Sequence, residues 1–247
     1  MKGFITNMEQ RSDAWYADRI GKLTSSEHYR LVAEAKRPMT ETELKARPKG
    51  VTAKTVADPH LLSDGAITYI EEVVGEIMTG EPADTQVTTK DMEHGILYEP
   101  VARELYERVQ QCVVTVVGSI PYDKLPKYVS GSPDGLIGTV GGVEFKCPRS
   151  NAIHLANLRL DDYIDLKNKR KEAYWQCISG MLINNRQWWD FVSFSPFYPT
   201  VRTQMKIIRI HRAQVMTDLS LLAIKLKYGV IEIENILEKL RKNERTN

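Results

Sequence analysis

A chain of 247 residues, 42% hydrophobic and 27% charged, is long enough to bury one sizeable core with a small appendage. The formal net charge is only +2, which excludes binding by global basicity and requires any nucleic-acid surface to be a local patch. Cys112, Cys147 and Cys177 are widely spaced, with no Cys-x-x-Cys pair or Cys/His cluster, which argues against zinc and iron–sulfur sites and fits a reducing, cytoplasmic compartment. No apolar run reaches the length that crosses a bilayer, and the opening Met1–Ile5 is not followed by a signal-peptide core.

In chain order, Ser12 or Asp13 caps a short helix that carries Trp15 and Arg19 one turn apart, and Gly21 ends it. Thr24, Ser25 or Ser26 is expected to cap a second helix, whose free N–H groups beside Arg19 would suit an anion; plain capping is the alternative. Residues 36–64, punctuated by Pro38, Pro48, Gly50 and Pro59, read as an irregular insertion in an otherwise single domain spanning 1–247. Ser63 or Asp64 caps a helix to residue 80, with Ile67, Ile70, Val73, Val74 and Ile77 at helical spacing and Glu71, Glu72 and Glu76 on its solvated face. Residues 90–110 form the next helix, with Gly95, Glu99, Ala102, Arg103 and Tyr106 along one side; Pro100 fits only a first turn or a kink. Glu99 itself reads as a solvent-facing residue. The β-branched run 111–120 reads as a strand, and Tyr128–Ser130 as the next.

Asp134 follows at a turn bounded by Pro133 and Gly135, where a side chain projects from a rigid sheet. Gly141-Gly142 is a turn signal that predicts a hairpin into Val143–Cys147. On that strand Glu144 and Lys146 share one face, while Val143, Phe145 and Cys147 take the other and face the core. Two carboxylates converging beside a lysine suit a hard divalent cation such as Mg²⁺, which takes carboxylate, water and phosphate oxygens, activates water and neutralises charge in phosphoryl transfer. The lysine would orient that water or stabilise developing charge. The alternative is an ordinary Glu–Lys pair on a surface hairpin.

Beyond the hairpin, residues 150–166 read as one helix through Ile153, Leu155, Leu158 and Leu160, followed by the basic run Lys167, Lys169, Arg170 and Lys171. That run is a solvated face, a helix start or a contact to a phosphate backbone. Residues 172–184 form an amphipathic helix containing Gln176. Residues 186–197 and 204–210 are strands, Trp188 and Trp189 suiting a sheet-edge core or base stacking, and about 213–243 is a long amphipathic helix. Neither internal repeats nor low-complexity tracts are present.

The Asp134, Glu144 and Lys146 arrangement resembles the PD-(D/E)-x-K nuclease superfamily, and its context is similar to one branch, the phage lambda exonuclease or YqaJ-like viral recombinase family. Further likenesses follow in the same order: Trp15 with Arg19-x-Gly-x-x-Thr-x-Ser26, Gly95-x-x-x-Glu99-x-x-Ala-Arg, and Gln176 ahead of a small residue and Met181. The 36–64 segment is longer than its counterpart. The resemblance implies an α/β fold with a central mixed β-sheet flanked by helices. It implies Mg²⁺-dependent DNA hydrolysis (Mn²⁺ substituting), with Asp134, Glu144, Glu99 and the Phe145 carbonyl at the metal, Lys146 at the water, and Gln176 orienting nucleophile or phosphate. It assigns the 5′-phosphate of a DNA end to Arg19 and Ser26. It further implies a 5′-to-3′ exonuclease on double-stranded DNA ends, a trimeric ring, a single-strand annealing partner and a phage-infected bacterial cytoplasm. Two readings stay open: an endonuclease of the same superfamily, and a non-catalytic DNA-binding scaffold.

Overall fold

The computed structural model describes residues 9–83 and 89–246, so the opening Met1–Ile5 segment lies outside the described residues. The first half of the chain runs α1 (Asp13–Arg19), β1 (Leu23–Thr24), α2 (His28–Leu31), β2 (Lys36–Pro38), α3 (Glu41–Ala46), β3 (Thr55–Ala57), α4 (Asp64–Thr79) and α5 (Lys90–Gln110). Then come β4 (Val114–Thr115), β5 (Ile120–Pro121), β6 (Val129–Gly131), β7 (Gly135–Ile137) and β8 (Gly141–Lys146). The chain closes with α6 (Asn151–Leu158), α7 (Tyr163–Lys169), α8 (Lys171–Ile183), β9 (Trp188–Phe194), α9 (Val201–Gln204), β10 (Met205–His211) and α10 (Met216–Thr246).

A mixed five-stranded sheet, ordered β10-β9-β8-β7-β4, forms the centre. Only the β8–β9 pair is parallel, as the α6–α8 crossover between those strands requires. Period-2 alternation puts Val143, Phe145, Val192 and Phe194 on one face, against Ala102, Leu105 and Tyr106 of α5. The opposite face presents Leu136, Trp189 and Phe191 to a larger core that includes α8, α4 and α10. The expected α/β fold, a mixed sheet flanked by helices, is what the chain adopts.

Several local expectations give way to packing. Gly141 and Gly142 are strand residues; the hairpin turns instead around Gly138, whose φ is +50°. Their missing side chains admit rings: a Cβ on Gly142 would stand 2.3 Å from Trp189, and one on Gly141 2.2 Å from Trp188. The predicted 111–120 strand splits into β4 and β5, because the chain leaves the five-stranded sheet after Thr115 and joins a three-stranded sheet, β1-β6-β5. The expected helix over 150–166 is two, because Asp162 accepts the Ile164 and Asp165 amides and starts α7 afresh. On α6 the polar His154 and Asn157 turn inward, bonding Ser193, while Ile153 and Leu155 are exposed. Nearly every residue from Ala173 to Ile183 is buried, so α8 is a central helix rather than an amphipathic one.

The 36–64 segment is more regular than expected: β2 and β3 pair antiparallel, and a Thr40–Glu43 capping box starts α3 between them. Pro100 lies inside α5 on an exposed face, where water can satisfy the carbonyl four residues back. Glu72 and Glu76 are not merely solvated, since Glu72 takes both Arg30 guanidinium nitrogens at 2.6 and 2.7 Å, and Glu76 accepts the Gly21 amide at 2.8 Å. Strand β9 is internal rather than an edge, and its Asp190, fully buried, accepts from Tyr106 at 2.6 Å and from Arg209 twice at 2.8 Å. That arginine lies 3.8 Å over the Trp188 ring. Helix α10 packs on α4, α8 and α2 of its own chain. Among the described residues no helix is long and apolar enough to cross a membrane.

Candidate active site

One cleft of about 1220 Å³ collects Arg19, Ser26, Glu99, Asp134, Glu144, Phe145, Lys146 and Gln176 in its lining. These eight are the site residues picked out from the sequence, and they arrive from α1, the β1–α2 turn, α5, the β6–β7 turn, β8 and α8.

The acid–lysine half is built on β8. Alternation aims Glu144 and Lys146 toward α8, and the Lys146 ammonium donates to Glu144 Oε1 and to Gln176 Oε1, each at 2.8 Å. Asp134 is fixed from the neighbouring turn by the Phe145 amide, which donates to its Oδ2 at 2.7 Å. Burial, then the nearby Glu144 and Glu99 charges, hold the Asp134 carboxyl well above its ordinary range. Burial also raises Glu144, although Lys146 pulls the other way. For Lys146, burial alone would lower the ammonium, but the Glu144 and Asp134 carboxylates outweigh it and leave it raised. Lys146 is therefore a cation and donor at neutral pH, not a proton acceptor.

This is negative charge gathered out of water without enough cation to balance it, which is the environment a divalent ion fills. Among the described residues no three His, Cys, Asp or Glu side chains form a closed cage. Asp134 and Glu144 instead offer an open set of hard oxygens, suited to an ion that keeps several waters. Glu99 is engaged by Arg11 Nη2 at 2.5 Å. Arg11, with a left-handed φ of +69°, and Gln10, which donates to Val117 O at 2.8 Å and Pro133 O at 2.9 Å, were missed in the sequence. Nothing in Gln10-Arg11-Ser12 signals that it clasps the Asp134 turn.

The other half is cationic. Ser12 accepts the Trp15 amide and starts α1, and the Trp15 indole donates to Ser132 Oγ at 2.9 Å, which seats the helix. The Arg19 guanidinium lies 4.3 Å from the Trp15 ring centroid and donates to Thr24 Oγ1 and Ser26 Oγ, both at 3.3 Å. It makes no ion pair among the described residues, and burial lowers its pKa. A half-buried guanidinium held by hydroxyls and an indole, rather than a carboxylate, keeps its charge available to an anion. The expected helix cap does not form: Thr24 lies in β1, and α2 is only four residues, entered from Glu27 without a side-chain cap. The basic run contributes Lys169, Arg170 and Lys171 to the same cleft, Lys169 paired with Asp165 and Arg170 with Asn157.

Behind this wall His28 is fully buried, and desolvation pushes its imidazole down to about 4. The unfolded chain therefore binds a proton that the folded one refuses between pH 6.5 and 4. His28 should cost no stability above that window, and up to about 1.4 kcal/mol per pH unit, roughly 3 kcal/mol in all, as pH falls through it. Urea unfolding at pH 7 and pH 4.5 should show a smaller difference in His28→Asn than in the parent; equal differences refute the assignment.

The sequence profile of the YqaJ-like viral recombinase domain matches residues 44–187, more than half of the chain. The chain belongs to the YqaJ-like viral recombinase domain family. Its fold is similar to those of solved exonucleases. An alkaline exonuclease from Laribacter hongkongensis, LHK-Exo, is 25% identical, with a TM-score of 0.70 over 95% of this chain and 99% of that one. The same enzyme in complex with dAMP gives 24% identity and a TM-score of 0.71 over the same shares. A phage-related exonuclease from Haemophilus somnus 129PT, 13% identical, has a TM-score of 0.64 over 89% of this chain and 96% of that one, a likeness of fold. No curated protein sequence matches this YqaJ-like chain.

Proposed function

We propose that the protein is a divalent-metal-dependent DNA exonuclease that digests double-stranded ends 5′ to 3′ and leaves 3′ overhangs. The observation that carries this is the meeting, in one cleft, of the Asp134/Glu144/Lys146/Gln176 cluster with Arg19, which makes no ion pair among the described residues, and its hydroxyl neighbours. Family membership and the likeness to LHK-Exo support it.

Asp134, Glu144 and the Phe145 carbonyl would hold Mg²⁺, with Glu99 completing the surroundings once Arg11 releases it. When bound, the ion supplies charge neutralisation on the scissile phosphate and a more acidic water. Lys146, kept protonated by its two carboxylates, orients the attacking water and stabilises charge on the phosphate oxygens. Gln176, tied to Lys146, fixes that ammonium and presents its amide to the nucleophile or phosphate. Arg19 and Ser26 hold the terminal 5′-phosphate, which would set the polarity of digestion. A trimeric ring around DNA and a single-strand annealing partner complete the proposal.

The test is digestion of linear duplex DNA with Mg²⁺, comparing 5′-phosphorylated ends, 5′-hydroxyl ends and closed circles. Rapid loss of the phosphorylated linear form alone is expected. Cutting of circles would indicate an endonuclease, and binding without cutting in Mg²⁺ or Mn²⁺ a scaffold.

A further inference from the structure

The carboxylates Asp134, Glu144 and Glu99 line one cleft, and with them Lys146, bonded to Glu144, and Arg11, bonded to Glu99. The Arg11 contact is of the weaker kind. One nitrogen, Nη2, meets one oxygen, Oε2, at 2.5 Å, whereas Arg30 meets Glu72 with two nitrogens on two oxygens. The Arg11 side chain is 37% exposed and that of Glu99 14%, so water reaches the pair. A guanidinium does not give up its proton in proteins, so at neutral pH the pair opens by movement of the side chain and not by loss of its charge.

The backbone beneath that side chain is fixed. Arg11 has a φ of +69°, a conformation that residues with a Cβ seldom adopt, and both neighbours are pinned. On one side the Gln10 amide donates to Val117 O and Pro133 O. On the other, Ser12 Oγ donates to Glu9 O at 2.7 Å and accepts the Trp15 amide at 3.2 Å. Pro133 precedes Asp134, so the base of Arg11 is tied to the turn that carries one acid of the cluster while its tip rests on another. The long side chain alone is left to swing. Glu99 also acts with the cluster, since its charge pushes both Asp134 and Glu144 up.

We propose that Arg11 is a built-in competitor of the divalent ion, holding Glu99 until the ion takes that carboxylate over, and so setting how much metal the site needs. The proposal rests on the metal reading of the acid cluster. Arg11 touches no reacting atom in this role; it governs access to one ligand. Without the ion, the guanidinium relieves the repulsion of Glu99 by Asp134 and Glu144. With the ion, that relief is redundant and the pair only opposes binding.

The experiment titrates Mn²⁺ into the DNA-free protein and reads the free ion by its electron paramagnetic resonance signal, so nothing is cleaved. Arg11→Asn removes the charge and keeps a residue that tolerates a left-handed φ. It is expected to bind Mn²⁺ about fivefold more tightly than the parent, the upper end of what a part-exposed ion pair is worth. In a Glu99→Gln background the same substitution should change the affinity by less than about twofold, because the contested carboxylate is gone. Equal or weaker binding by Arg11→Asn overturns the proposal. So does a gain that survives Glu99→Gln, which would make Arg11 a general repelling charge and not a competitor for one ligand. Failure of parent and variant alike to bind Mn²⁺ refutes the metal reading itself, a result distinct from the others.

Discussion

Replacing Lys146 by alanine should slow cleavage of duplex DNA by about 10²–10³-fold while leaving affinity for the DNA within about twofold. The ammonium is a donor aimed from a rigid strand, bonded to Glu144 and Gln176 at 2.8 Å each, and it is kept protonated by the carboxylates around it. In the proposed reaction its contribution would therefore grow as charge develops on the phosphate, with little of it acting in the ground state. On the proposed function, duplex affinity would rest instead on phosphate contacts elsewhere in the cleft, which Arg19 and Lys171 line. Single-turnover cleavage measured beside equilibrium binding separates the two. Cleavage at the parent rate, or a loss of binding that accounts for the loss of rate, would remove Lys146 from its assigned role. Lys146→Arg should recover little, because a planar fork cannot take the place of an ammonium shared between a carboxylate and an amide oxygen.

Trp189→Ala should cost about 3–5 kcal/mol of stability, the range for truncating a buried aromatic. The ring is fully buried and fills a slot between β8 and α8 whose walls are glycines: a Cβ would fall 2.3 Å from it at Gly142 and 2.4 Å at Gly180. With no side chains on those two walls, the site has little with which to collapse, so the cavity persists. The same slot sets the spacing between β8, which carries Glu144 and Lys146, and α8, which carries Gln176. Urea unfolding of Trp189→Ala, with the Lys146-dependent cleavage rate measured well below the transition, tests both consequences. A loss below 1 kcal/mol would show that the slot closes on itself.

What could be read from the residues, and what could not, divides on physical lines. The alternation Val143, Phe145 against Glu144, Lys146 is a period-2 signal on a strand paired on both sides, so it survived packing. Ser63 before Asp64 and Gly80 after Thr79 marked α4 because caps act within a single turn. Gly141-Gly142 misled because a missing Cβ serves two ends, freedom at positive φ or room for a ring, and only the position of Trp188 and Trp189 tells which. The β-branched run 111–120 carried strand propensity but no mark of the point where the chain changes sheets. Helix α8 read as amphipathic because a helix covered on most sides by sheet and helices gives no polar stripe to find. Arg11 was out of reach altogether, since its partner Glu99 lies on another element and the pair is set by tertiary fold alone.

The two halves of the cleft also differ in how far apart their parts lie along the chain. Asp134, Glu144 and Lys146 belong to one hairpin, and closing it needs only a short loop. The Arg19 half depends on the parallel pairing of Leu23 with Val129 and Thr24 with Ser130, contacts between distant stretches of sequence. Loop-closure entropy makes the second arrangement the later one to form. A refolding chain would therefore gather its acids and lysine before it completes the Arg19 half of the cleft.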